Sequence, residues 1–509
     1  MGLESYHVII VGGGAAGMAA AVSALQEMGK QKGTTDSGKV LLLESNDRVG
    51  KKLLATGNGK CNFTHENISI THYHADDQAV LKSVLDDFPS EAALQFFEGM
   101  GMLSREKNGC FYPLSETATT VLDVLRLRLS ELGCEMRCGI RIERAEKTKK
   151  GFLVSCRDGE QVLKIETDSL ILATGSRAGG FLQDRSEDPL RIPKTFGLRS
   201  TALYPALTKC ICREDYYYKQ LAGVRAQVRL KLFCGRDNCQ GRGAERGVEN
   251  PRECSGHPKD RKKTGKSSEK DRLSDMRWPE EKTGDWELLR QEAGELQLTK
   301  EGISGIAVFQ LSGDIAQKLA EGRRVIVEIN FLPDFQEDTL EEWGKERLRL
   351  LPGRSLEDFF LGVLHKKILG VCLQAEGFRG GMKIPDDDRS ARRSSIMGES
   401  VISSEKTDKH LPAEKRALMM ISAVMKRAMH FTTEVTAVSD MKQAQVCRGG
   451  LFLSQFDKNL ECKALPGLFA CGEVLNVDGE CGGYNLHFAW ASGVLAGREA
   501  VRSISGDIS

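Results

Sequence analysis

The chain has 509 residues, with 72 Lys+Arg against 71 Asp+Glu and a net charge of +1. A hydrophobic content of 40% with 28% charged residues excludes a disordered chain, and the charge balance excludes a protein that is basic throughout. At roughly 150 residues per domain, the length suggests two to four folding units. The start, Met1-Gly2-Leu3-Glu4-Ser5, lacks the basic run of a secretory signal. The apolar stretch 7–25 is broken by Gly12, Gly13, Gly14 and Gly17, so no membrane span is expected. Fifteen cysteines without an export signal predict reduced thiols and a cytoplasmic location. Cys210/Cys212 and Cys234/Cys239, even with Cys254 and His257, lack the paired spacing of a zinc site, so no metal is expected.

In chain order, residues 8–11 (VIIV) read as a buried parallel strand. The G-x-G-x-x-G of residues 12–17 follows, and residues 18–25 read as a helix rich in small side chains. Gly12 permits the tight turn, Gly14 admits a pyrophosphate to the backbone, and Gly17 lets helix and strand touch. Ala15 and Ala16 offer the first free amides of the helix. Residues 39–44 form a second strand ending in Glu44, followed by Ser45. An acid about 20 residues on serves a ribose hydroxyl; Glu44 lies 27 beyond Gly17, and the polar stretch 31–38 reads as a loop that absorbs the difference. Residues 115–132 carry apolar positions at helical spacing, with Ser115 as candidate N-cap. Residues 169–175 form another strand, ending at Ala173, Thr174 and Gly175.

The middle of the chain differs in pattern. Residues 224–233 and 324–329 alternate like half-buried strands, and residues 340–351, 356–373 and 413–429 read as helices. Ser304 is a candidate N-cap of the helix 306–319. Residues 236–282 hold 13 Lys/Arg and 10 Asp/Glu in 47 residues, a composition that does not bury enough apolar surface to offset its ordering entropy. The cluster 259–266 is its densest part; RNA contact is the sharper reading of it, a solvated loop the plainer one. Residues 386–415 also read as a polar loop. Near the end, residues 467–471 are strand-like and a glycine-rich segment precedes a helix over 486–498. The glycine unit could hold NAD or FAD; for FAD, Glu473 or Asp478 is a candidate for ribityl hydroxyls, and the amides after Gly482-Gly483 for the flavin pyrimidine.

Five segments carry a family resemblance: VGGGAAGMAAA (11–21), GKKLLATGNGKCNFTH (50–65), ILATGS (171–176), GELQLTKEGISGIAVFQLS (294–312) and CGEVLNVDGECGGYNLHFAWASGVLAG (471–497). Together they resemble the BaiN/YhiN-like FAD-dependent oxidoreductases, the aminoacetone oxidase-like flavoproteins. The resemblance implies an α/β fold, with a discontinuous Rossmann-like FAD-binding domain interrupted by an inserted β-barrel and a small helical lobe. Expected divisions are 1–202 and 445–509 for the FAD domain, 203–331 for the barrel with the loop 236–282, 332–430 for the lobe and 431–444 for a returning barrel strand. It also implies that Lys52, Gly57, Gly59, Lys60, Cys61 and Asn62 lie beside the cofactor, with Gly472, Gly479, Gly482, Gly483, Tyr484, Asn485 and Leu486. Lys60 stands where the family usually has Arg, and His65 where it has Asn. Residues 176–199 depart from its glycine-rich continuation, with Pro189 and Pro193 intruding.

A reduced flavin delivers hydride to an electron-poor carbon. The expected activity is NAD(P)H-linked reduction of a C=C conjugated to a carbonyl, as in a bile-acid-type enone. An rRNA dihydrouridine synthase-like activity and an aminoacetone or amine oxidase-like activity are the alternatives. Tyr484 is the candidate proton donor, with ring packing as its plainer role. No second glycine motif marks a NAD(P) domain, so either NAD(P)H acts as a transient donor at the flavin face or another donor serves.

Overall fold

The unalternating runs VIIV, VLLLE and SLIL need cover on both faces, and a parallel sheet between helices provides it. The structure, a computed structural model, describes residues 4–30, 39–180, 188–213, 215–235, 286–385 and 411–506. It divides into one unit of Met1–Thr208 with Ser439–Ser509 and a second of Lys209–Val438.

In the first unit the sheet order is Glu135–Cys138, Val40–Glu44, Glu4–Val11, Gln161–Leu172, Phe152–Asp158, Ile140–Lys147. The first four run parallel, with Ile9 opposite both Leu41 and Leu170. The long strand Gln161–Leu172 pairs antiparallel with Phe152–Asp158 over its first half. Its second half takes Leu468–Ala470 in parallel on the same edge. The C-terminal segment thus enters the sheet that the N-terminal segment builds. The last helix, Tyr484–Gly506, packs on the first, Ala15–Lys30, through glycine: a Cβ on Gly493 or Gly497 would lie 2.4 Å from Ala16 O or 2.2 Å from Ala20 O. Trp490, fully buried, donates from Nε1 to Phe63 O at 3.0 Å.

In the second unit a closed barrel runs in the order Cys210–Cys212, Gly302–Ser304, Trp286–Leu298, Arg225–Gly235, Val325–Asn330, Phe431–Val438. Its alternating residues Val325, Val327 and Ile329 point inward and share one apolar core with Leu369 and Met425 of the helices, so barrel and helical segment are a single cored unit. The strands flanking the charged insertion pair from Arg225↔Gln297 to Gly235↔Trp286. The insertion 236–282, its cluster 259–266, the loop 31–38 and residues 386–410 of the polar run lie outside the described residues.

Several boundaries differ from those expected. Residues 203–208 and 439–444 belong to the first unit, where Tyr204–Ala206 pairs with Val446–Arg448. The helix begins at Ala118 with Thr117 at its N-cap, and the Ser115 hydroxyl bonds to those of Thr117 and Thr120 instead. Ser304 closes a barrel strand and Gly305 takes the N-cap; glycine is required there because it sits at φ +101° and a Cβ would lie 2.5 Å from Glu295 O. The expected helix 356–373 splits into Leu356–Phe359 and Lys366–Ala375, with Gly362 at φ +77° between them. No helix among the described residues is long and apolar enough to cross a membrane.

Candidate functional site

The first strand ends at Val11 and the chain turns through residues 12–14 into the helix Ala15–Lys30. Gly12 sits at φ +111°, and a Cβ there would lie 2.2 Å from Ala173 O. A Cβ on Gly17 would lie 1.9 Å from Gly12 O. These two glycines are required by the protein's own packing. Gly14 is different: a Cβ there meets no heavy atom within 4 Å. The first helical bond runs from Met18 N–H to Gly14 O at 3.0 Å, leaving the amides of Ala15, Ala16 and Gly17 without intrahelical acceptors. No acid stands in that first turn, so the helix end presents positive potential to open space.

Glu44 closes the second strand, 7% exposed. One carboxylate oxygen accepts from Gly13 N–H at 2.7 Å; the other accepts from Asn46 N–H at 2.8 Å and Asn46 Nδ2 at 2.7 Å. Asn46 Oδ1 is buried with no hydrogen-bond partner. Asn46 and Gly14 line one cavity. Of the expected residues, Gly12, Gly14, Ala15, Ala16, Glu44, Ser45, Lys52, Ala173, Thr174, Gly175, Glu473, Asn485 and Leu486 line it. Lys52 Nζ lies 2.5 Å from Glu473 Oε2, and Glu473 Oε1 accepts from Cys447 N–H at 2.9 Å. Asn485 bonds with both ends of its amide to the backbone of Gly479, at 2.8 and 2.7 Å.

The remaining expected residues are not among the lining. Gly17 and Gly472 lie behind the wall: Gly472, at φ +73°, would carry a Cβ 2.6 Å from that of Ala16. Gly57 and Gly59 belong to a kinked 3-10 run, Leu53–Gly59, of which Leu53 and Thr56 reach the cavity. Lys60 pairs with Glu116 at 3.1 Å, half-exposed. Cys61 is fully buried, and burial pushes its thiol up to about 12, which disfavours the reactive thiolate. Asn62 Oδ1 is a second orphaned buried acceptor; a Cβ on Gly483 would lie 2.5 Å from it. Gly482 sits at φ +138°, with Tyr484 beneath it.

Two further expected residues lie off the cavity lining. Asp478 is not a cavity residue: it is 6% exposed and pairs with buried Arg448 through both carboxylate oxygens, at 3.1 and 3.2 Å. Tyr484 is not on the cavity wall either. Its ring stacks on His65 and His72, with centroids 5.0 and 4.6 Å away, and burial pushes its hydroxyl up to about 12. Ring packing therefore describes it, and no proton donor is assigned to it.

Cavity residues outside every motif include Asn46, Ile140, Ile142, Asp188, Pro189, Arg191, Ile192, Gln445 and Val446. Asn46 carries a weak signal, a short polar side chain two residues past the strand acid. The others reach the wall only through sheet order and long-range packing. Of the cysteine clusters, Cys210 and Cys212 are buried in a barrel strand and Cys234 in another, while Cys239, Cys254 and His257 lie outside the described residues.

His487, in the last helix, is fully buried between Thr64 Oγ1 (2.8 Å from Nδ1) and Phe88 O (2.9 Å from Nε2). Burial holds its pKa down to about 4, so it is a neutral core residue. Because the folded value lies below the unfolded one, its contribution is complete above pH 6.5 and lost as pH falls through about 4. Urea unfolding should show about 3 kcal/mol lost between pH 7 and 4 through this group. His487→Gln should be less stable at pH 7 yet fall less steeply; an unchanged slope would remove His487 from the account.

Comparison with known proteins gives the family. The HI0933-like protein Rossmann domain matches residues 6–499. The chain belongs to that family. HI0933-like proteins include the BaiN/YhiN-type flavoproteins, so the resemblance read from the five segments holds. The chain is 27% identical over 492 residues to a 3-dehydro-bile acid delta(4,6)-reductase of Clostridium scindens, covering 96% of this chain and 98% of that one. It is 23% identical over 509 residues to a ribosomal RNA dihydrouridine synthase of Escherichia coli, covering 99% and 100%. Among solved structures, a quinol-fumarate reductase is similar at 14% identity and a TM-score of 0.45, covering 100% of this chain and 72% of that one. This HI0933-like chain is an FAD-dependent oxidoreductase.

Proposed function

We propose that this enzyme binds FAD noncovalently in the cavity and reduces a C=C conjugated to a carbonyl, with NAD(P)H as a transient electron donor. The observation that carries the substrate class is the similarity, over nearly the whole of both chains, to a bile-acid enone reductase. The cavity's chemistry fits the cofactor. The open face of Gly14 and the amides of Ala15 and Ala16 would receive the pyrophosphate. Glu44, positioned by Gly13 N–H and Asn46, would accept from the adenosine ribose. Lys52 bridges Glu473 and would neutralise charge near the ribityl and flavin end, where Asn485 and Leu486 complete the wall.

When bound and reduced by NAD(P)H, the flavin would supply hydride to the electron-poor β-carbon of the substrate, and the adjacent carbon would take its proton from solvent. The chain's part is to hold the ring, exclude water with Val477, Leu486 and Phe488, and keep the Lys52–Glu473 pair in place.

A second reading is an RNA-modifying reductase, favoured by the ribosomal RNA dihydrouridine synthases of E. coli and of Haemophilus influenzae, 22% identical over 488 residues. A uracil C5=C6 bond is also conjugated to a carbonyl, so the same chemistry serves. Anaerobic reduction by NADH or NADPH, followed by reoxidation trials, separates the readings. Rapid reoxidation by a 3-oxo-Δ4 steroid, with loss of enone absorbance, is the expected result. Reoxidation by unmodified ribosomal RNA alone would favour the second reading. Flavin reduction by an amine, with peroxide formed in air, would make it an oxidase and overturn both.

A further inference from the structure

The cavity's nucleotide end is walled by a segment to which no motif assigns a role. Asp188, Pro189, Arg191 and Ile192 all line it. The Thr174 hydroxyl donates to Pro189 O at 2.9 Å, tying the segment to the turn beside Gly12. Asp188 accepts from Leu190 N–H at 3.0 Å and from Lys194 Nζ at 2.7 Å, which fixes the short helix Arg191–Thr195. The Arg191 guanidinium donates to Glu143 O at 2.7 Å and to Ile142 O. Ile140 and Ile142 are themselves cavity residues, and Gly139 N–H donates to Asn46 O at 2.7 Å. That last bond places the start of the strand Ile140–Lys147 beside Glu44 and Asn46. Residues 188–192 therefore bridge from the glycine turn at one side to the strand next to Asn46 at the other. Leu190 and Ile192 anchor them in the core of the unit.

We propose that residues 188–192 form a wall of the site for the adenosine half of FAD, and that Arg191 is the positioning residue that holds the wall against the strand Ile140–Lys147. The proposal rests on the reading above that Gly14 and Glu44 take the ADP portion of the cofactor. Both guanidinium bonds go to backbone carbonyls of the neighbouring strand, so Arg191 acts through the wall's position and not by charge on the ligand. A planar fork holds two carbonyls in a fixed geometry; the rotatable donors of a lysine ammonium do not.

The test uses apoprotein of the full chain, with FAD affinity and release followed by flavin fluorescence and ADP affinity by calorimetry. Arg191→Ala should weaken FAD and ADP alike, by about 10- to 100-fold, and speed FAD release. Arg191→Lys should fall between, and the apoprotein's unfolding midpoint should move little. Should Arg191→Ala fail to fold, Arg191→Lys and Ile192→Ala carry the same comparison. Unchanged affinities in those variants would overturn the proposal, as would loss of FAD affinity with ADP affinity intact, since the wall would then serve another part of the ligand. Failure of the cofactor reading is seen separately: normal FAD binding by Gly14→Val refutes it whatever Arg191 does.

Discussion

Gly14→Val is expected to fold normally as apoprotein and to lose FAD affinity by about 100-fold or more, upwards of roughly 2.7 kcal/mol. A Cβ at this position meets no protein heavy atom within 4 Å, so the substitution begins in open space. The same space is where the pyrophosphate belongs if the helix amides receive it. Gly17→Val makes the contrast: its Cβ would meet Gly12 O at 1.9 Å, so that variant should fail at folding rather than at binding. Glu44→Ala should weaken FAD by about 1.5–3 kcal/mol, the range for a hydrogen bond to a charged group, and should loosen the turn because Gly13 N–H loses its acceptor. Flavin titration together with thermal unfolding of each apoprotein separates these outcomes. Normal FAD affinity in Gly14→Val would place the cofactor elsewhere.

Asp478→Ala should cost about 3–5 kcal/mol of stability with little change in FAD affinity of the folded protein. Arg448 and Asp478 are 6% and 6% exposed as whole residues, so removing the carboxylate strips a buried guanidinium of its bidentate partner. Asp478→Asn keeps hydrogen-bonding capacity and should cost less. Denaturant unfolding of apoprotein and of FAD-loaded protein is the measurement. A fall in FAD affinity without loss of stability would return Asp478 to the ribityl role first expected of it.

Asp478 and its neighbour Glu473 illustrate where sequence reading stops. Both are acids in one glycine-rich segment, five residues apart, and each was a fair candidate for the same hydroxyls. Glu473 lines the cavity and meets Lys52, 421 residues earlier in the chain. Asp478 meets Arg448 and is enclosed. Nothing local separates the two; their partners do. Tyr484 is a similar case, since its surroundings are decided by His65 and His72, residues some 400 positions away.

By itself the sequence determined the strand–glycine–helix unit, the acid at the end of the second strand, the family, and the presence of an alternating barrel segment in the middle. Those features depend on contiguous residues: a turn needs its glycines in order, and a strand shows its burial in its own pattern. Only the tertiary structure decided the rest. It brought Leu468–Ala470 into the N-terminal sheet, merged barrel and helices around one core, and walled the cavity with Ile140, Ile142 and residues 188–192. These placements arise from pairing and packing between segments far apart in the chain, where each residue's role is set by what folds against it.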